Sequence, residues 1–269
     1  MIPDIAERHV DDPPPQPPNS DIAIRLQSVE LRYGEKIVLS DCSLDCKAGH
    51  ITCIIGLSGA GKSTILRVAN GLRRPSKGYV FTLGTEISKL PERDVLEIRK
   101  RIGMAFQYNA LFDSMTIGQN VAFPLYELTD LEKEDIDKRV RDALDSVGLE
   151  GVEDKLPSEL SGGMQKRAGF ARAIVNEPEI IMFDEPTTGL DPIMNHIITT
   201  TIKSIQERLK ATCIVISHDL PSVFAIANEI ALLFEGTIIE HGPVSQVRQS
   251  PNPIVQQFLQ GSEIGPIPI

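Results

Sequence analysis

An α/β fold is predicted by three features of this sequence. Compact apolar runs at His50–Ile55, Ile180–Asp184 and Cys213–Ser217 have the length and residue types of buried strands. The first runs into a glycine-rich turn and then a helix from about Lys62 to Asn70, which Gly71 stops. Between about residues 109 and 165 the texture changes, and Glu132–Leu149 is charged and amphipathic, with Ile136, Val140, Leu144 and Val147 at helical spacing. That pattern predicts a helical subdomain inserted into the α/β core.

The other elements follow in chain order. Residues 1–20 carry Pro13-Pro14-Pro15-Gln16-Pro17-Pro18 and almost nothing that could pack, so a disordered or polyproline II tail is expected. Alternation at Ile22, Ile24, Leu26, Val29 and Leu31 predicts strands, followed by a turn at Gly34-Glu35-Lys36 and another strand at Ile37–Leu44. These form an N-terminal antiparallel β subdomain. A hairpin at Ile230–Phe234 and Thr237–Glu240 turns at Glu235-Gly236. Residues 21–245 are thus the main domain, and 246–269 a C-terminal extension. The extension has a short helical stretch, Val255–Leu259, and a proline-interrupted end, Ile264–Ile269.

Composition narrows the class. At 269 residues, 41% hydrophobic and 24% charged, the chain is an ordinary globular protein with ample core. A net charge of −10 offers no field to attract a polyanion, which argues against nucleic-acid binding. Cys42, Cys46, Cys53 and Cys213 form no CxxC pair and mostly sit in apolar runs, so they read as small buried hydrophobes in a reducing cytosol. No apolar run approaches the ~18 residues of a membrane span. The sequence therefore predicts a cytoplasmic protein whose membrane role, if it has one, comes through partners.

Three segments carry chemistry. Gly56-Leu57-Ser58-Gly59-Ala60-Gly61-Lys62-Ser63-Thr64 fits the phosphate loop G-x-x-x-x-G-K-[ST] of P-loop NTPases. Its glycines let backbone N–H groups converge on phosphates, and the following helix adds the positive end of its dipole. Lys62 would reach the β- and γ-phosphates of ATP, and Ser63 would ligate Mg²⁺. The apolar run Ile180–Phe183 delivers Asp184 to the metal side, and Glu185 follows as a general base for water. In Leu160-Ser161-Gly162-Gly163-Met164, Ser161, Gly162 and Gly163 would present a hydroxyl and backbone N–H groups at a helix start, again suited to a γ-phosphate. With one cradle already complete, the second predicts service to another subunit's nucleotide.

Over nearly all of residues 22–242 the sequence resembles the ATPase subunits of ABC transporters. The resemblance implies an ABC ATPase core and a head-to-tail homodimer sandwiching two ATP molecules. It places Tyr33 as the aromatic that stacks on adenine. Gln107, in Met104-Ala105-Phe106-Gln107, becomes the glutamine that touches metal and water and relays nucleotide state to the membrane subunit. Gly189-Leu190-Asp191 becomes the loop crossing the dimer interface, and His218 the histidine that holds the γ-phosphate and orients Glu185. His9, His50, His196 and His241 match nothing in the pattern. Met164 departs from the commonest signature, where glutamine is usual, and leaves the serine and glycine contacts intact.

The signature, the stretches Phe106–Thr116 and Asn120–Leu125, and the tail residues Asn252-Pro253 and Gln257–Leu259 resemble one branch, the ATPase of MCE-linked (Mla) phospholipid transporters. That branch implies a permease dimer, a STAS-domain subunit, a periplasmic MCE-domain ring and a place on the cytoplasmic face of an inner membrane. The implied cargo is phospholipid moved between inner and outer membranes. Three alternatives compete. An importer for amino acids, phosphate or a similar solute would have the same core. An ATPase acting on nucleic acid or ribosomes would usually carry two cassettes or a long coiled-coil insertion. A nucleotide-gated module without useful hydrolysis is opposed by Glu185 and His218.

Overall fold

The computed structural model describes residues 16–267. Residues 1–15 of the expected Pro-rich tail lie outside the described residues, as do the last two residues of the Ile264–Ile269 end. The described chain begins in a turn, the Ile22 N–H donating to the Asn19 carbonyl at 3.2 Å.

Two sheets make up the framework. The first is antiparallel: β1 (Ile22–Tyr33) lies between β2 (Lys36–Lys47) and β4 (Lys77–Thr82), with the short β5 (Thr85–Glu86) outside β4. The alternating apolar residues of β1 turn inward, so Ile24, Leu26, Val29 and Leu31 are all buried. The strand is continuous through register shifts around Gln27–Glu30, where Ser28 adopts φ +48°.

The second sheet has the order β10-β9-β3-β8-β7-β6. Its strands are β3 (Ile51–Gly56), β6 (Ile102–Ala105), β7 (Ile180–Asp184), β8 (Thr212–Ile216), β9 (Glu229–Phe234) and β10 (Thr237–Pro243). All pairings are parallel except β9 with β10. The continuous apolar runs are explained by burial on both faces. Cys53, Ile55, Ile181, Phe183, Cys213 and Val215 join one core, whereas their neighbours Ile54, Ile180, Met182, Ile214 and Ile216 join the other.

Helices close both faces. α1 (Lys62–Ala69) packs between the sheets, and α2 (Glu92–Arg99) leads into β6. The helical part comprises α3 (Ile117–Leu128), α4 (Lys133–Ser146) and α5 (Gly162–Ile174). In α4 the predicted stripe is buried at Ile136, Val140 and Leu144, and Val147 is its C-cap. α5 continues to Ile174, and its Phe170, Ala171 and Ile174 belong to the core beside β6 and β7. α6 (Pro192–Leu209) and α7 (Leu220–Ile226) flank β8. After β10 come two short helices, α8 (Val244–Arg248) and α9 (Pro253–Gln260). The buried Gln257 amide holds the end of the chain, donating to the Ile267 carbonyl and accepting from its N–H.

All four cysteines are buried free thiols. Burial pushes Cys42, Cys46 and Cys213 up to about 12, so they are neutral packing residues. No helix among the described residues is long and apolar enough to cross a membrane.

Candidate functional site

Four parallel strands end side by side, and the predicted residues lie at that carboxyl edge. The Gly56 loop follows β3, Gln107 follows β6, Asp184 and Glu185 end β7, and His218 follows β8. Strand order therefore brings together groups as far apart as residues 62 and 218, at the kind of crevice where open α/β sheets bind ligands.

The loop is fixed by close approach. Gly56 has φ +151°, and a Cβ there would lie 2.3 Å from the Leu233 carbonyl oxygen of β9. Gly61, at φ +105°, packs against Val38 and Leu39 of β2. Among the described residues, no hydrogen bond uses the N–H groups of Gly59, Gly61, Lys62 or Ser63. Those donors at the start of α1 are open to an anion. Lys62, 8% exposed, donates from Nζ to the carbonyls of Gly56 (2.9 Å) and Leu57 (3.1 Å). Burial lowers its pKa, against the upward pull of Glu185 and Asp184.

The acidic half is bonded to the loop. Ser63 Oγ donates to Asp184 Oδ1 at 2.9 Å. Burial raises the Asp184 pKa, the Ser63 hydrogen bond lowers it, and neighbouring Glu185 raises it further. Glu185 has φ +50°, an uncommon conformation outside glycine, and its N–H donates to the Ile216 carbonyl of β8. Its Oε2 meets His218 Nδ1 at 2.6 Å and accepts from Thr188 Oγ1 at 3.2 Å. Its Oε1 lies 3.8 Å from Lys62 Nζ. The structure thus brings Lys62, Ser63, Asp184, Glu185 and His218 into one contiguous cluster.

The remaining predicted residues lie elsewhere. Tyr33, at the end of β1, is partly exposed, with the Arg73 guanidinium 5.5 Å from its ring centroid. At the second cradle, Ser161 is the N-cap of α5; its Oγ accepts from the Met164 N–H at 3.4 Å. Ser161 and Gly162 are exposed, whereas Gly163 is buried under Met194, whose Cε would be 2.0 Å from an added Cβ. No hydrogen bond among the described residues joins this helix start to the cluster. Asp191 caps α6, its carboxylate accepting from the Ile193 and Met194 N–H groups.

Sequence reasoning missed Thr188, Met194 and Lys166. The Lys166 side chain, 6% exposed, donates to the Gln107 carbonyl at 3.1 Å. Its signal was the placement of a lysine between buried Gly163 and Ala168 on the core side of α5. A cavity of about 450 Å³ is lined by Met104, Phe106, Phe112, Phe123, Pro124 and Arg172 among others.

Comparison with known proteins agrees with this geometry. Residues 39–188 match the ABC transporter family. The chain is 41% identical over 244 residues to the intermembrane phospholipid transport system ATP-binding protein MlaF of Haemophilus influenzae, covering 91% of this chain and 92% of that protein. It is 38% identical over 246 residues to the probable ribonucleotide transport ATP-binding protein mkl of Mycobacterium leprae, covering 91% of this chain and 71% of that one. The fold superposes with a TM-score of 0.75 on the ATP-binding cassette MJ0796, a dimeric post-hydrolysis state bound to ADP and Pi, at 30% identity over 82% of this chain and 98% of that one. The phosphate loop, the acidic strand end and the histidine beside it, in a chain so matched, belong to an ATP-binding, ATP-hydrolysing subunit of the ABC transporter family.

Proposed function

We propose that this chain is the motor of a transporter that moves phospholipid between two membranes, closing as a head-to-tail homodimer around two Mg·ATP. The observation that carries the ATPase part is the Glu185 carboxylate, held on one oxygen by His218 and Thr188. That arrangement leaves Oε1 to accept a proton from water. With Glu185 ionised, His218 Nδ1 donates to it, which leaves Nε2 for a γ-phosphate oxygen.

The residues fit the nucleotide and its metal. The unpaired N–H groups of the loop suit phosphate oxygens, and Lys62 would exchange the Gly56 and Leu57 carbonyls for them. The Ser63 hydroxyl and the Asp184 carboxylate, already 2.9 Å apart, are oxygen donors suited to Mg²⁺, with Gln107 completing the set. When bound, the ion neutralises phosphate charge as the leaving group departs. Tyr33 would stack on adenine. Ser161, Gly162 and Gly163 of one protomer would complete the partner's site, with the Asp191 loop at the seam.

The cargo and partners rest on likeness to MlaF over 91% of the chain. The aromatic-lined cavity at Phe106 suits a helix of a permease subunit. In the proposed machine this chain sits on the cytoplasmic face of an inner membrane, with a STAS-domain subunit and a periplasmic MCE-domain subunit as further partners. The Mycobacterium relative's name carries a different cargo. Isolation of the native assembly through a tag on this chain separates these readings. Co-isolation of an MCE-domain protein supports phospholipid transport, whereas a periplasmic solute-binding protein in its place overturns it.

A further inference from the structure

α5 does more than present Ser161. Lys166, Gly169 and Arg172, three residues apart, face the loop that follows β6. Lys166 Nζ donates to the Gln107 carbonyl, its one hydrogen bond among the described residues. Lys166 is 6% exposed, so that hydrogen bond is largely shielded from solvent. Burial lowers the Lys166 pKa, and the charge that opposes this is that of Glu185, so the cation feels the proposed general base as well as the loop. Arg172 forks onto the carbonyls of Asn109 (2.8 Å) and Ala110 (2.6 Å). Those two residues are consecutive left-handed positions, at φ +61° and +49°. An alanine there is strained and holds that shape only under external restraint. The Asn109 backbone also lies against Gly169, 3.5 Å from where a Cβ would sit.

We propose that Lys166 and Arg172 are positioning residues for Gln107. They strap its loop to the signature helix, so that within one protomer the γ-phosphate donors at Ser161 and the metal-side glutamine move as one body. The inference rests on the reading of Gln107 as a metal and water contact. It assigns a role to two residues outside that set.

The test compares Lys166→Met, Gln107→Ala and the double variant in the full chain, purified with the proteins that co-isolate with it. Steady-state ATP hydrolysis and direct ATP titration are both measured. Lys166→Met should lower kcat about tenfold, the range for losing one hydrogen bond from a charged group, while KM and ATP affinity stay within about twofold. The double variant should be no slower than the worse single variant, because both changes act through one glutamine. Lys166→Arg should recover most of kcat, and Arg172→Gln should reproduce the defect in protein whose Tm is unchanged, which keeps the test open if Lys166→Met does not fold. A normal kcat in Lys166→Met and Arg172→Gln beside an impaired Gln107→Ala, or fully multiplicative losses in the double variant, overturns the strap alone. Unimpaired turnover in Gln107→Ala overturns the reading of Gln107, and this inference with it.

Discussion

The two phosphate-suited ends of this molecule differ in how much of their surroundings they contain. At the sheet edge, Ser63 is bonded to Asp184, Glu185 to His218 and Thr188, and Lys62 to its own loop. The start of α5 has none of this: Ser161 and Gly162 face outward, and the hydroxyl does no more than cap its helix through a long contact. One end has its polar side chains already bonded to one another. The other is a set of donors that, among the described residues, makes no hydrogen bond to Lys62, Ser63, Asp184, Glu185 or His218. In the proposed head-to-tail dimer the exposed half is the part lent to a second copy, and the asymmetry between the two ends is what that proposal explains.

The most severe way to break the complete end is Glu185→Gln. The amide keeps shape and burial but cannot take a proton. Turnover should fall by ~10²–10⁴ while ATP still binds. Steady-state hydrolysis at wild-type rate would remove Glu185 from its role.

Lys62→Ala and Ser161→Ala sharpen the contrast, because they should separate binding from assembly. Loss of the ammonium should weaken ATP binding to the isolated chain by about 10–100-fold, the range for charge-assisted hydrogen bonds. Ser161→Ala should leave that single-chain affinity unchanged and lower turnover of the assembled transporter about tenfold. Its lost cap should cost about 1 kcal/mol, a shift of roughly 2–4 °C in Tm. Calorimetric titration of the isolated chain and hydrolysis by the complex give the two readouts. Equal loss of affinity in both variants would mean that a single chain encloses its nucleotide.

Much of the complete end was legible because it is encoded locally. Gly56–Thr64, Asp184-Glu185 and Ser217-His218 each place their groups within a few residues of a strand end. The strand order β3-β8-β7-β6 that makes them neighbours is not written in any one segment. For that reason Thr188 could be found only after Glu185 was seen to turn at φ +50°, and Lys166 only once α5 lay across the loop of Gln107. α6 was illegible for a different reason. Eight of its 18 residues are isoleucine or threonine, which lowers intrinsic helix propensity, yet Ile198, Thr199, Ile202 and Ile205 bury a helical stripe that overrides it. Met194, on the same helix, seals Gly163 by a contact that local pattern cannot predict.

The smallest expected effect concerns the charge carried by Asp184. The Asp184 pKa is raised, by burial first and by Glu185 as well. A carboxyl with a raised folded pKa favours folding while protonated in acid, and that contribution is lost as pH rises through its folded pKa. Above that pKa the Asp184 charge, buried beside Glu185, is therefore a local cost that a divalent cation would relieve. Asp184→Asn removes one charge at constant shape. Its nucleotide-free Tm should exceed that of the wild type at neutral pH and converge with it in acid. Addition of Mg²⁺ with nucleotide should then stabilise the wild type more than the variant, reversing the order. A variant stabilised by Mg·nucleotide as strongly as the wild type would place the cation away from Asp184, and would leave the contrast between the two ends resting on Lys62 and Glu185 alone.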